Sequence, residues 1–328
     1  MGSKGNLSKR CVMGFFTLLF FIIPYPVGAW AQAFPNKPIT IYAGFEAGGG
    51  TDLTTRALAA GAEKVLGVPV VVENKPGGGG TVAAALVAKR PPDGYSLATF
   101  ATSTLTVRTM LLKVAYDSMK DFTYLCHYSQ HTGALCVLSE SPFKTINDFI
   151  AYAKTHPGLS YAHSGLYSSQ QLATELLARC KGLKFRNVPC KGGSEAYREL
   201  MGKHVDFACG TGSHKIYVKQ GTFRELVIYH EDKRDPESPN VPTLQELNCP
   251  DVPASGRVVV GPKGIPADAV EKLNAAFRKV CEGAEYQKIL KNIDIPIKYF
   301  DGKEFENAIR KEYSWYKENL SKFVEKKK

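Results

Sequence analysis

The chain has 328 residues, of which 44% are hydrophobic, and a formal net charge of +11 at pH 7, a length sufficient for one large or two ordinary domains. A basic surface attracts anions of any size, but the sequence has no RNP-like aromatic motif, no zinc finger and no basic block except the terminal Lys326-Lys327-Lys328. These features argue against nucleic acid as a partner, and we interpret the terminal lysines as a solvated end.

The first residues have the pattern of a secretory signal peptide. Three basic residues among the first ten precede an apolar run over 12–23, and Ala29-Trp30-Ala31 supplies small residues two apart, as at a cleavage site. The apolar run is shorter than the ~20 residues that span a bilayer, so a retained membrane anchor is the less favoured alternative. We expect residues 1–31 to be removed, which lowers the charge from +11 to +8, and the mature protein to work outside the cytoplasm.

From Pro38 onward, short apolar runs alternate with helical patterns, which is typical of α/β architecture with a largely parallel sheet. The predicted strands are 39–43, 68–73, the end of "RPPDGYSLATF" (90–100), 160–163, 185–189 and 205–208. The predicted helices are 51–66, 82–89, one opened by the capping box Thr145-x-x-Asp148, 170–181, 194–201, one between Pro266 and Gly283, and one with Phe305, Ile309, Tyr313 and Leu320 at helical spacing. Two such α/β units predict two lobes, with ligands bound at the loops that lead from strands into helices.

Seven cysteines follow the signal peptide, namely Cys126, Cys136, Cys180, Cys190, Cys209, Cys249 and Cys281. Because the number is odd, at least one thiol stays free within the chain, and we interpret most of the seven as small apolar residues. Cys180 and Cys190 are expected not to pair, because the predicted five-residue strand between them spans ~16 Å, whereas bridged Cα atoms lie within ~7 Å.

The stretch "GFEAGGGTDLTTR" (44–56) joins the first predicted strand to the first predicted helix. Gly44 and Gly49 have the spacing of a nucleotide-binding P-loop, but Gly50 and Thr51 stand where the Lys and the Ser or Thr are needed. What remains is a set of backbone N–H groups at a helix N-terminus, which suits a small anion such as a carboxylate. A tight turn without a ligand is the equal alternative for this loop on its own.

The sequence has neither a Gly-x-Ser-x-Gly elbow nor a His-Glu-x-x-His motif. His127 and His131 are four residues apart, but their segment is predicted as a strand running into a turn, so a metal site there is less favoured. His163 is interpreted as a residue that bonds backbone or ligand rather than as a general base, and "GTGSH" (210–214) as another helix start. We therefore expect a protein that is not an enzyme, with no catalytic residue, no metal and no cofactor.

Several motifs, in the same order, resemble the substrate-binding proteins of tripartite tricarboxylate transporters, known as the Bug family. "FPNKPITIYAGFEAGGGTDLTTRALA" is similar to the family's first strand and binding loop, and "VVVENKPGGGGTVAAALVAKRPPDGYSL" to its Asn-Lys-Pro-Gly-x-Gly-Gly and Asp-Gly-Tyr-Thr signatures. "YAKTHPGLSYAHSG" and "VPCKGGSEAYRELMGKHVDFA" resemble parts of the second lobe, and "VPTLQEL" resembles a later Pro-Thr motif. The similarity covers nearly the whole mature chain.

This resemblance implies a two-lobed periplasmic-binding-protein fold (type II-like), in which each lobe is a mostly parallel sheet flanked by helices and two crossing strands join the lobes. Lobe 1 would hold 33–133 and 256–328, and lobe 2 would hold 134–255. The protein would be a monomer that captures a small organic carboxylate and delivers it to the large and small membrane subunits of a transporter. A periplasmic hydrolase on the same scaffold, or a module that feeds a sensor kinase, is the alternative.

The resemblance also implies ligand contacts in both lobes. They are Phe45, Gly48, Gly49, Asp52, Thr102 and Ser103 in the first lobe, and Ser164, Gly165, Ser168, Ser169, Gly192, Gly193 and Asp206 in the second. The chain departs from the family pattern at Cys190, where Tyr is common, and at Gln171, where His is common.

Two acids in the first binding loop have separate predicted roles. Glu46 puts a negative charge inside the anion loop and gains nothing from the helix dipole, so we predict that it faces the cleft and shapes ligand choice. Asp52 lies in the first turn of a helix, where a carboxylate favours the positive end of the dipole, so capping rivals ligand contact as its role.

Overall fold

The computed structural model describes residues 1–2, 33–131, 133–210, 214–230, 233–293 and 295–319. Nearly all of the predicted signal peptide, the middle of "GTGSH", Leu320 and the terminal lysines lie outside the described residues. Within the described ranges, no helix combines the length and the apolar character that crossing a bilayer requires.

The elements alternate along the chain as the sequence predicts. The strands are β1 (Ile39–Ala43), β2 (Val70–Asn74), β3 (Ser96–Ala101), β4 (Phe122–Gln130), β5 (Gly133–Leu138), β6 (Leu159–His163), β7 (Phe185–Pro189), β8 (Phe207–Cys209), β9 (Phe223–Tyr229), β10 (Gly256–Pro262) and β11 (Phe300–Asp301). The α-helices are α1 (Gly50–Leu66), α2 (Thr81–Val87), α3 (Val107–Leu111), α4 (Ile146–Thr155), α5 (Ser169–Lys181), α6 (Gly193–Met201), α7 (His214–Lys219), α8 (Ala267–Glu282), α9 (Ala284–Asn292) and α10 (Gly302–Asn319).

The strands form two sheets, which confirms the predicted two-lobed α/β fold. One sheet has the order β11-β4-β10-β3-β1-β2 and the other has the order β7-β6-β8-β5-β9. Both sheets are mixed rather than mostly parallel. The pairs β1–β2, β1–β3, β6–β7 and β6–β8 are parallel, whereas β10 and β5 run antiparallel to their neighbours.

The antiparallel strands arise where the chain passes between the sheets. β4 of the first sheet is followed almost at once by β5 of the second, and the chain returns from β9 to β10. The two crossing segments lie side by side, because the backbone N–H of His131 donates to Ser255 O at 2.8 Å. The predicted lobe bounds, 33–133 with 256–328 and 134–255, follow this division closely, although Gly133 already pairs in the second sheet; the bounds themselves stay a proposal.

Burial along the strands matches their places in the sheets. All seven residues of β10, "GRVVVGP", are buried, as expected for a central strand covered on both faces. β2 lies at an edge, and buried or half-buried positions alternate there with exposed ones. Separate apolar clusters pack each sheet, for example around Leu273 and Phe100 in the first lobe and around Phe207 and Tyr197 in the second.

Helix ends follow their local sequence signals. Thr145 and Asp148 form the predicted capping box at the start of α4. α5 ends at Gly182, whose φ of 67° is left-handed and favours glycine. α6 also ends at a glycine, but Gly202 has an ordinary right-handed φ of −75°. Pro266 occupies the N-cap position of α8 rather than its first turn.

One disulfide links Cys180, at the end of α5, to Cys249, which is 69 residues later. Cys190 is a free thiol, so the prediction that Cys180 and Cys190 do not pair is confirmed. The remaining free cysteines, Cys126, Cys136, Cys209 and Cys281, are buried and behave as the small apolar residues that the sequence predicts.

Glu312 of α10 lies beside the crossing segments, where it accepts hydrogen bonds from Thr106 Oγ1 at 2.7 Å and Thr102 Oγ1 at 3.4 Å. Burial raises the pKa of this carboxyl from its ordinary value of 4.5 to about 7. Because the unfolded chain releases the proton at a lower pH than the folded protein does, the contribution of Glu312 to stability is complete below about pH 4.5 and is lost as the pH rises through about 7.

We therefore expect Glu312→Gln to remove part of the loss of stability that the wild-type protein undergoes between about pH 5 and pH 8. The difference between the two proteins should change over this range by roughly 2–3 kcal/mol, since the pKa rises from 4.5 to about 7 and one pKa unit corresponds to ~1.4 kcal/mol. Urea unfolding at both pH values measures it, with Glu318→Gln, an exposed acid on the same helix, as the control. Equal pH dependence in wild type and Glu312→Gln would contradict the assignment.

Candidate functional site

The glycine loop between β1 and α1 is held from inside by Asp52. This residue is 3% exposed, and its carboxylate accepts hydrogen bonds from Gly48 N at 3.0 Å, Asn74 Nδ2 at 2.7 Å and Arg56 Nε at 3.1 Å. The N–H of Gly48 is therefore already bonded within the protein. Asp52 and Gly48, both predicted as ligand contacts, therefore bond to each other and fix the shape of the loop, and contact with a ligand stays a prediction for both.

Asp52→Asn is expected to lower the free energy of unfolding by ~1–3 kcal/mol, because a buried acceptor of three hydrogen bonds becomes an uncharged amide that matches them poorly. Ligand affinity should fall as well, since the loop loses its anchor. Asp148→Asn is the matched control, because Asp148 also lies in the first turn of a helix but is exposed. If denaturant titration gives the same loss for both variants, helix capping rather than loop anchoring explains Asp52.

Hydroxyl groups after β3 point in two directions. Thr102 Oγ1 lies 2.9 Å from Ser255 Oγ and faces the crossing segments. Ser103 Oγ accepts a hydrogen bond from Arg108 Nη1 at 2.6 Å. Ser103 therefore lies beside the guanidinium of Arg108. Thr102 instead joins the first lobe to the segment before β10.

The second lobe contributes the loop after β6 and the start of α5. Ser164 Oγ is buried and has no hydrogen-bond partner among the described residues. Ser168 caps α5 by accepting a hydrogen bond from Gln171 N at 3.2 Å, and Ser169 Oγ donates to Gln170 Oε1 at 3.1 Å. Of these three hydroxyl groups, Ser164 is thus the one that neither donates nor accepts a hydrogen bond within the described residues.

Glycines bring the loops of the two lobes into contact. A Cβ atom added at Gly165 would lie 3.3 Å from Gly79 Cα, and one added at Gly192 would lie 3.5 Å from Glu46 N and 3.7 Å from Phe45 Cβ. At Gly165 the φ of +103° and the short distance both favour glycine, whereas at Gly192 the distances are those of ordinary van der Waals contact. The predicted second-lobe loops therefore face the glycine loops of the first lobe directly.

Polar contacts also cross between the lobes. Ser194 Oγ donates to Ala47 O at 3.5 Å, close to Gly49 at the N-cap of α1 and to Gly193 at the start of α6. Arg198 Nη2 donates to Glu46 Oε2 at 2.9 Å, and the Glu46 side chain is 22% exposed. Glu46 thus faces the second lobe with its charge paired, and its influence on ligand choice stays a prediction.

Asp206 is the one predicted contact that lies away from the other loops. It precedes β8, and its carboxylate accepts hydrogen bonds from Ser160 N at 2.7 Å and Ser160 Oγ at 2.8 Å. Ser160 stands at the beginning of β6, whereas the facing loops leave its carboxyl end. Because β6 and β8 are parallel, Asp206 lies at the opposite edge of the sheet, where it ties two strand starts together.

Three residues at the contact between the lobes, and Asn74, which holds the first glycine loop through Asp52 and Phe45 O, were not among the predicted ones. Gly79 and Asn74 belong to the "ENKPGGGG" segment, whose glycine cluster was a signal that could have identified them. Arg108 and Arg198 carry no local motif, since their roles depend on side chains that cross to the other lobe.

Histidines near the crossing segments are not arranged as a metal site. Burial lowers the pKa of His127 and of His163 to about 4 and lowers that of His131 as well, so all three are neutral at pH 7. His127 Nδ1 lies 2.6 Å from Lys298 O, and His163 Nδ1 lies 2.9 Å from Gly165 O. Across the part of the chain that is described, no three His, Cys, Asp or Glu residues group as metal ligands.

Sequence comparisons place this architecture among transport receptors. Residues 54–322 match the family described as "Tripartite tricarboxylate transporter family receptor". A UPF0065 protein of Cupriavidus necator is 38% identical over 281 residues, which is 85% of this chain and 85% of that protein. Protein BugT of Bordetella pertussis is 30% identical over 249 residues, covering 74% of this chain and 76% of BugT.

Solved structures give the same similarity in three dimensions. MatC from Rhodopseudomonas palustris with bound malate has a TM-score of 0.79 and 28% identity, covering 87% of this chain and 99% of MatC. A second R. palustris protein, with adipate, has a TM-score of 0.81 and 27% identity, covering 88% and 97%. The periplasmic binding protein BugD has a TM-score of 0.81 and 25% identity, covering 88% and 98%.

Proposed function

Because this chain belongs to the tripartite tricarboxylate transporter receptor family, the Bug family, we propose that it is an extracytoplasmic solute-binding protein. It captures a small organic carboxylate in the periplasm and delivers the acid unchanged to the large and small membrane subunits of a transporter. The similar proteins with malate and adipate support carboxylates as the ligand class.

The main support for this proposal is that glycine-rich loops from both lobes lie against one another. Gly49 at the start of α1, and Gly192 and Gly193 at the start of α6, present backbone N–H groups and the positive ends of two helices. The hydroxyl groups of Ser103 and Ser164 lie in the neighbouring loops. Such an arrangement recognises an anion by shape and dipoles.

Stabilisation by ligands tests the proposal. A ligand that binds only the folded protein raises its melting temperature, by ~2.7 kcal/mol of added stability at 100 times the dissociation constant. In a panel of organic acids, sugars and nucleotides, we expect at least one acid to raise the melting temperature clearly. If sugars or nucleotides stabilise the protein while every acid fails, the proposed ligand class is wrong.

Native mass spectrometry of the purified protein measures both the mass of the bound ligand and whether that ligand is chemically changed. We expect a monomer that carries one small acid, and the acid should be recovered with unchanged mass after incubation. A changed mass would favour the alternative of a periplasmic hydrolase on the same scaffold.

A further inference from the structure

A fully buried arginine lies where the loops of the two lobes meet. Arg108 of α3 has no exposed surface. Its Nη1 donates to Ser103 Oγ at 2.6 Å in the first lobe, and its Nε donates to Leu166 O at 2.9 Å in the second. A Cβ atom added at Gly79 would lie 2.6 Å from Nη2, so the guanidinium lies directly against that glycine. All three neighbours belong to loops at the carboxyl ends of β2, β3 and β6.

The charge of Arg108 has no partner of opposite sign within the described residues. Its Nη2 forms no hydrogen bond there. Burial lowers the pKa of Arg108 to about 10, and the nearby phenols of Tyr116 and Tyr316 offset that shift only in part. The side chain is therefore still a cation at pH 7. A buried charge without a counter-charge is costly, and a guanidinium binds carboxylates through two parallel hydrogen bonds.

We propose that Arg108 supplies the counter-charge for one carboxylate of the ligand and so selects acids that place a carboxylate against Gly79 and Ser103. This inference rests on the proposed function and adds a specific cation to it. The backbone N–H groups and helix ends recognise any small anion, whereas Arg108 adds a full positive charge and a planar fork that fits a carboxylate. Arg108 also couples closure of the two lobes to binding of the ligand, because its Nε donates to Leu166 O in the second-lobe loop.

A cycle of protein and ligand changes tests this role. The wild-type protein is titrated calorimetrically with malonate, succinate, malate, glutarate and adipate, and the acid that binds most tightly is compared with its diamide, which has the same shape without charge. We expect the ratio of the two affinities to fall by at least tenfold, ~1.4 kcal/mol, in Arg108→Gln. Arg108→Lys, which keeps the charge but loses the planar fork, should give an intermediate ratio.

Arg224→Gln is the matched control. Arg224 also donates to backbone carbonyl groups, those of Ser139 and Phe143. It lies at the edge of the second sheet where β9 begins, away from the facing loops, so its variant should keep the wild-type ratio.

The outcomes distinguish a wrong role for Arg108 from a wrong proposed function. If Arg108 only braces the closed lobes through Leu166, Arg108→Gln weakens the diacid and the diamide equally, the ratio is unchanged, and the inference is wrong while the proposed function stands. Should Arg108→Gln fail to fold, Arg108→Lys decides, because a ratio equal to that of the wild type in this variant excludes recognition by the planar guanidinium and a lower ratio supports it. A wild-type protein that binds none of the acids overturns both proposals.

Discussion

Replacing Cys180 and Cys249 together by serine is expected to lower the free energy of unfolding by about 2–4 kcal/mol, because the unfolded chain is no longer constrained by a closed loop. The bridge joins residues 69 apart in the sequence. It lies at the end of α5, whereas Ser168 and Ser169, two of the predicted ligand contacts, lie at the beginning of that helix. Ligand affinity should therefore stay within about twofold of the wild type, ~0.4 kcal/mol, while the urea midpoint falls.

Reduction supplies the control for this expectation. Dithiothreitol should lower the melting temperature of the wild-type protein toward that of the double variant and leave the variant unchanged, since its remaining cysteines are free thiols. A double variant as stable as the wild type would mean that the bridge contributes nothing to folding. A peptide map that links Cys180 to Cys190 would contradict the fold of this region.

Gly165→Ala is expected to weaken carboxylate binding at least tenfold, ~1.4 kcal/mol. Its φ is +103°, a value that strains any other residue. The added Cβ would lie 3.3 Å from Gly79 Cα and 3.4 Å from Cys190 O. These neighbours are backbone atoms, which cannot rotate away as the end of a long side chain can, so the two lobes would have to separate slightly. The N–H groups of the facing loops would then reach the ligand less well.

Gly158→Ala separates this effect from backbone strain. Gly158 has a similar φ of +95° and lies just before β6, whereas Gly165 follows it, and nothing stands within 4 Å of a Cβ added there. Both alanines should lower the free energy of unfolding, each by ~1–3 kcal/mol for the strained conformation, but only Gly165→Ala should lower affinity in calorimetric titration. Equal losses of affinity would show that strain alone is responsible and that the contact with Gly79 is dispensable.

The sequence by itself determined the elements whose signals are local. The capping box of Thr145 and Asp148, the glycine that ends α5 and the five residues of β7 could all be read from the chain, because neighbouring residues fix them. The family could also be identified, since its motifs are short, ordered and rich in glycine. The prediction that the loop between β1 and α1 binds an anion followed from the same local pattern.

Other features depend on residues far apart in the chain, and only the tertiary structure decided them. Whether strands run parallel or antiparallel is set by where the chain crosses between the sheets, so β5 and β10 could not be oriented from composition alone. Asp206 has the same residue type as Asp52, yet it stands at the opposite edge of its sheet because the direction of β8 puts it there.

Contacts of charged side chains and the pairing of cysteines were also decided only by the tertiary structure. Arg198 reaches Glu46 across 152 residues, Arg108 reaches Leu166 across 58, and Cys180 meets Cys249 across 69. No local pattern encodes such distances, because the energy of each contact depends on the burial and geometry that the whole fold creates. The sequence therefore determined where the glycine-rich loops lie along the chain, and the tertiary structure determined which groups of the two lobes lie close together at those loops.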